Sequence, residues 1–261
     1  MRATLRFFAC MPGTSVFPTP FFRYASADLN AMCSRWLSNK WGTLRVASVP
    51  TGVISSVVTK VRQVFQRIES PSLEREPTER FEFFLRSVCS SVLASAQKNT
   101  IVFIRSYFDF VRLRNYLKAE KVSRSQVGPC MLLRHPLPHR SCPPPSCYVQ
   151  ASFVSLSEYS KSSDVARSRA RFFQGERALM LVTERFWFFR RPQLRGGVHA
   201  IFYSLPDCSL FYKEVVDGLP RGGGSVLSLV TKYDKFQLEG VLGKQRAIAV
   251  LSSGRDAHEF H

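Results

Sequence analysis

The sequence predicts an α/β protein built on a doubly wound, mostly parallel sheet. Three observations carry this. Ile101–Leu117 (IVFIRSYFDFVRLRNYL) joins a short apolar run, Ile101–Ile104, to a helical pattern with Phe110, Leu113 and Leu117 on one face. Ala178–Thr183 (ALMLVT) is a continuous apolar run, the mark of a strand buried on both faces. From residue 100 onward, strand patterns alternate repeatedly with helical ones, the order that generates parallel βαβ units.

The elements follow in order. The first fifty residues contain strand candidates at Thr4–Phe8 and Thr43–Val46 around a helical pattern at Ala27–Leu37. They read either as the tail of an upstream α/β unit or as a mitochondrial presequence, since Arg2, Arg6 and Arg23 precede the first acid, Asp28. Pro12, Pro18 and Pro20 oppose the presequence helix. Val57–Arg67 is a helix or an extended connection rich in β-branched residues. Glu69–Thr78, holding Pro71 and Pro77, is a polar linker, and Glu79–Ala96 a helix with Phe81, Phe84, Leu85, Val88, Val92 and Leu93 at helical spacing. Ser106 and Asp109 fit a capping box, placing the strand-to-helix turn at Arg105–Ser106, with the helix running to about Lys121. Strands are predicted at Phe153–Glu158, Val198–Leu205 and Ser225–Thr231. Helices are predicted at Ser162–Gln174 (capped by Ser162 or Ser163), Ser209–Val216, Lys235–Leu242 and Gln245–Leu251. Ser252–His261 is a polar tail.

Residues 124–152 are foreign in composition, with six prolines, three cysteines, two histidines and no acid. Such proline density excludes a packed helix or central strand, and the segment reads as a disordered insertion, of the composition an in-frame retained intron would supply. Cys130, His135, His139, Cys142 and Cys147 are zinc-ligand types, but their spacing matches no standard zinc motif, so no metal is expected.

The formal net charge is +18, from 37 Lys and Arg against 19 Asp and Glu, which points to a polyanionic partner, RNA or DNA first. No apolar run approaches the ~20 residues of a membrane span. Seven scattered cysteines suit a reducing compartment. No Walker sequence is found; Gly240–Gln245 comes nearest, with the wrong spacing and Gln245 in place of the hydroxyl. No G-x-S-x-G occurs, His199 reads as a sheet histidine, and Asp207–Cys208 lacks a base nearby in sequence. Neither a catalytic set nor a cofactor is expected. Residues 165–195 hold eight arginines against Glu176 and Glu184, with Phe186, Trp187, Phe188 and Phe189 among them. Arginines anchor phosphates and exposed aromatics stack on bases, although four consecutive aromatics are more readily core.

Three segments, IVFIRSYFDFVRLRNYLKAE, FVSLSEYSKSSDVARSRARFFQGERALMLVTERFWFFRR and AIFYSLPDCSLFYKEVV, resemble in collinear order the digestive organ expansion factor (U3 small nucleolar RNA-associated protein 25) family. SYFDFVRLRNY, SRARFF, TERF and FYSLP are closest to its pattern, and RATLRFFA and VFQRIES fit its first-lobe strand and inter-lobe linker. The likeness covers most of residues 44–255 except 124–152. The family is related to DEAD-box RNA helicases. The resemblance therefore implies a RecA-like helicase C-terminal lobe over 100–251, interrupted by 124–152. A first-lobe remnant lies at 1–50, a linker and helix at 51–99 and a tail at 252–261. It places Ile101–Ser106 at helicase motif IV and Leu181–Glu184 at motif V. Tyr203–Pro206 comes just before motif VI, whose arginines are replaced by Tyr212–Asp217. It implies a nucleolar, non-catalytic component of the small-subunit processome, with pre-rRNA, the U3 small nucleolar ribonucleoprotein and other processome proteins as partners and no membrane. The alternative is an ATP-dependent RNA helicase whose catalytic first lobe lies outside this chain. Candidate RNA or partner contacts are Arg105, Ser106, Thr183 and Arg185 at strand ends and Arg112 and Arg114 on the following helix. Arg167, Arg169 and Arg171 lie beside them, with Arg190 and Arg191 after the aromatic run.

Overall fold

The computed structural model describes residues 52–89, 99–125, 153–220 and 223–260, all within one unit, Val49–His261. Their strands are β1 (Arg62–Arg67), β2 (Thr100–Ile104), β3 (Phe153–Leu156), β4 (Leu179–Thr183), β5 (His199–Phe202), β6 (Ser225–Val230) and β7 (Ala257–Phe260). The helices are α1 (Glu76–Phe83), α2 (Tyr107–Ser125), α3 (Ser162–Phe173), α4 (Glu184–Arg190), α5 (Ser209–Asp217), α6 (Lys235–Leu242) and α7 (Lys244–Ser252).

The strands form one sheet in the order β3-β4-β2-β5-β6-β1-β7, parallel throughout except for β7, which runs antiparallel to β1. This is the α/β doubly wound architecture expected. Every residue of β2 and β4 is buried, because helices cover both faces of the sheet. Alternation within β2 divides the core. Val102 and Ile104 join Phe84, Phe110, Leu113, Leu117 and Tyr203 on one face. Phe103 turns to the other, where its ring meets those of Trp187 and Phe202. Each large apolar side chain so buried contributes ~1.5–3 kcal/mol.

Val57–Arg67 resolves as extended chain leading into β1, whose β-branched Val64 and buried Phe65 suit a pleated surface. Gln63 is tolerated inside because Tyr212 Oη donates to its Oε1 at 2.8 Å. Three expectations are corrected. The polar tail contains β7, an edge strand held by backbone pairing and by Arg62, whose Nε donates to Glu259 Oε1 at 2.8 Å. The helix expected from Glu79 starts at Glu76, with Pro77 in its first turn, where no N–H is needed. After Phe83 it widens into a π-helical stretch, Phe84–Cys89. Lys161, not Ser162 or Ser163, occupies the cap position of α3. The aromatic run Phe186–Phe189 belongs to α4, with Phe186 and Trp187 in the core and Phe189 exposed.

Among the described residues no helix is long and apolar enough to cross a membrane. The first-lobe candidates in residues 1–50, the segment 126–152 and the five metal-ligand types lie outside the described residues.

Candidate nucleic-acid and partner interface

Parallel sheets present their ligand sites beyond the carboxyl ends of the strands, at the point where successive connections run in opposite directions. In this sheet the chain leaves β2 toward β3 and leaves β5 toward β6, so that point lies between β2 and β5. Arg105 follows β2 there, and its backbone N–H donates to Ser204 Oγ beyond β5 at 3.2 Å. Its guanidinium lies 3.7 Å from Asp207 and 3.5 Å from Asp234. Asp207 also accepts from Gln237 Nε2 at 3.1 Å.

The neighbouring strand ends extend this lattice. Arg80, brought in by α1, is 2% exposed. It donates to Glu76 Oε1 through Nε at 2.7 Å, to the Tyr203 carbonyl at 2.9 Å and to Asp234 Oδ2 at 2.5 Å. Burial works to lower the Arg80 pKa, yet Asp234 and Glu76 outweigh it and the pKa is raised. Asp234 closes a capping box with Thr231 after β6. Glu184, first residue of α4, accepts from the backbone N–H groups of Asp207 at 3.0 Å and Cys208 at 3.4 Å. Burial, with Asp207 beside it, holds its carboxyl up at about 7. Asp207–Cys208 therefore has a titratable neighbour after all, one distant in sequence.

The predicted site residues divide into two groups. Arg105 is paired as described. Ser106 Oγ accepts a long 3.5 Å bond from Asp109 N–H, half of the expected capping box. Thr183 is buried and engaged in capping α4: its Oγ1 accepts from Phe186 N–H at 3.2 Å and donates to Glu158 at 3.0 Å. It cannot face a partner as expected. Arg112 lies over the Phe81 ring at 4.1 Å, and half-buried Arg114 lies 5.8 Å from the Phe110 ring. Arg191 lies over Phe211 at 4.6 Å and pairs with Glu214. These side chains brace the fold.

The second group lies on α3 and α4. On α3, Arg167 and Arg171 make long pairs with Asp164 (3.8 Å) and Glu176 (3.9 Å), of the kind worth little in water. Arg169 donates to the Gln193 carbonyl at 2.8 Å. Arg190, on α4, donates to Ser162 Oγ at 3.3 Å, and exposed Arg185 lies 3.7 Å from Glu158. Arg167 and Arg171, four positions apart, share one face of α3, while Arg169 faces the other way toward Gln193; with Arg185 and Arg190 on α4 they make the α3–α4 edge basic. His199 is the sheet histidine expected, its Nδ1 2.8 Å from Ser225 Oγ and its pKa lowered by burial.

Sequence reasoning passed over three exposed aromatics at the carboxyl rim: Phe108 (86% exposed), Tyr159 (69%) and Phe236 (80%). A signal existed for Phe108, which falls off the Phe110–Leu113–Leu117 face of α2.

Fold and rim together define a doubly wound α/β lobe whose ligand end is filled by its own ion pairs. The chain belongs to the Utp25 C-terminal domain family, whose model matches residues 53–129 and 148–260. It is 30% identical over 239 residues to Protein NUCLEOLAR FACTOR 1 of Arabidopsis thaliana, covering 91% of this chain and 28% of that protein. It is 33% identical over 241 residues to the U3 small nucleolar RNA-associated protein 25 homolog of Homo sapiens, covering 90% and 28%. The chain thus spans less than a third of the length of these curated relatives. Similar solved structures include the C-terminal domain of the DEAD-box protein Dbp5, at 12% identity and TM-score 0.47 over 74% of this chain and 85% of that one. Another is the E. coli DEAD-box protein SrmB bound to regulator of ribonuclease activity A, at 15% and 0.44 over 71% and 85%.

Proposed function

We propose that the chain is a non-catalytic, RecA-like helicase-type lobe of the nucleolar small-subunit processome, acting in pre-rRNA processing by binding RNA and protein. Family membership and the relatives' names, U3 small nucleolar RNA-associated protein 25 and nucleolar factor 1, support that setting and a nucleolar location. They also support the U3 small nucleolar ribonucleoprotein and other processome proteins as partners. On this reading residues 100–251 are the second lobe, interrupted by an insertion at 124–152 of which the family match leaves out 130–147, and residues 1–50 are the remnant of a first.

The observation that carries the non-catalytic reading is the occupancy of the carboxyl rim. Arg80 is committed to Glu76 and Asp234, and Arg105 lies 3.5 Å from Asp234 and 3.7 Å from Asp207. Asp207 and Asp234 oppose a triphosphate there, so the rim stabilises the lobe. RNA is left to the basic edge, where Arg167 and Arg171 offer weakly paired guanidinium groups and Arg169 is held only by the Gln193 carbonyl.

Replacing Arg167, Arg169 and Arg171 by alanine in the full chain weakens binding to a fluorescent single-stranded RNA. It also makes the slope of log affinity against log salt shallower by about 2, the counterion release of three phosphate contacts. Unchanged affinity and slope would remove the RNA role.

A further inference from the structure

Behind the basic edge, α3 and the loop at Leu194–Arg195 border a groove of about 390 Å³. Its floor is apolar, made by buried Phe172, Met180 and Leu194, and Ala166 and Ala170 form the helical wall. These alanines lie one turn apart on α3, so the wall stays open where longer side chains would close it. Phe173 stands at the mouth, 61% exposed, and packs against Gly196. That close approach needs a glycine: φ is +89°, and a Cβ would lie 3.1 Å from the Phe173 ring.

Arg169 and Arg195 flank the groove, and neither makes an ion pair among the described residues. Asp164, on the opposite face of α3, and Glu176, beyond its end, lie against Arg167 and Arg171. An apolar slot with a cationic margin selects a ligand that is apolar in the middle and anionic at its flanks.

We infer that this groove docks a protein segment carrying one large apolar anchor between acidic residues. Burying such an anchor supplies affinity, and the planar guanidinium forks of Arg169 and Arg195 match carboxylates in bidentate geometry. A nucleotide base fits the slot less well. Base recognition needs stacking together with hydrogen bonds to the base edge, and the floor is aliphatic and thioether apart from Phe172. The groove extends the proposed function with a protein site distinct from the RNA contacts, and only Arg169 is common to both.

The test uses the full chain and an array of fluorescent peptides in which acidic residues flank a central leucine, isoleucine, phenylalanine or tryptophan. At least one anchored peptide binds, and replacing its anchor by alanine or its acids by lysine weakens binding about tenfold or more. Ala166→Trp, a substitution at an exposed wall position, fills the slot and weakens the peptide to the same degree while leaving single-stranded RNA binding unchanged. Arg195→Glu weakens the peptide from the other side and serves if the tryptophan variant melts at a lower temperature. The proposal is overturned if no anchored peptide exceeds its alanine control, or if Ala166→Trp and Arg195→Glu both leave peptide binding intact. It is also overturned if Ala166→Trp weakens RNA instead, which would make the slot a base pocket. Loss of RNA binding in the Arg167, Arg169 and Arg171 experiment is read on RNA alone, so the two readings fail separately.

Discussion

Replacing Arg80 by alanine is expected to destabilise the lobe by ~3–5 kcal/mol, the range for removing one partner of a buried ion pair. The guanidinium is 2% exposed, pairs with Glu76 within α1 and joins that helix to the ends of β5 and β6 through the Tyr203 carbonyl and Asp234. Without it, Asp234 keeps only Arg105 at 3.5 Å and its own capping bonds, and buried negative charge is left undercompensated. Pairing Arg80→Met with Asp234→Asn removes both charges and recovers part of the loss, because the isolated acid is the costly species. Urea unfolding monitored by circular dichroism measures both variants. A loss below ~1 kcal/mol for Arg80→Ala would show that the rim does not depend on this pair.

The second large effect is a pH dependence centred on Glu184. Its carboxyl is held at about 7 by burial and by Asp207, whereas in the unfolded chain it titrates in the ordinary carboxylate range. Below that range both states hold the proton. As pH rises from about 4.5 to about 7 only the folded state retains it, so stability falls, by ~3 kcal/mol in all, and then levels off. Glu184→Gln keeps a carbonyl oxygen for the Asp207 and Cys208 N–H groups and removes the titration. The variant therefore matches the parent near pH 4.5 and is more stable than it at pH 8. A stability difference that stays constant between those pH values would contradict this account of Glu184.

How much of this was legible in the sequence depended on the range of the interactions. β2, β4 and α2 were readable because local apolar patterning specifies them: Ile101–Ile104 and Ala178–Thr183 are continuous runs, and Phe110, Leu113 and Leu117 share one helical face. β1 was ambiguous because Val61, Val64, Phe65 and Ile68 satisfy helical spacing as well as β propensity, and pairing with β6 decides it. β7 was hidden because it is short, polar and held through its backbone. The arginines were visible as a cluster, but their division into paired and available groups was not. Arg80 meets Asp234 across 154 positions of sequence, and Glu184 meets Asp207 across 23. No local pattern reports such pairings. Thr183 illustrates the cost: its place at a strand end suggested a contact, and its burial beneath α4 assigns it to capping.

The central claim is that RNA lies along the basic edge of α3 and α4, outside the ion-paired carboxyl rim. Photo-crosslinking of a 4-thiouridine-containing single-stranded RNA to the full chain, with crosslinked peptides identified by mass spectrometry, tests it most directly. The account predicts crosslinks in peptides spanning residues 162–195, removed by the Arg167, Arg169 and Arg171 alanine variant. Crosslinks concentrated at residues 105–109, 204–210 and 231–236, and unaffected by that variant, would contradict it.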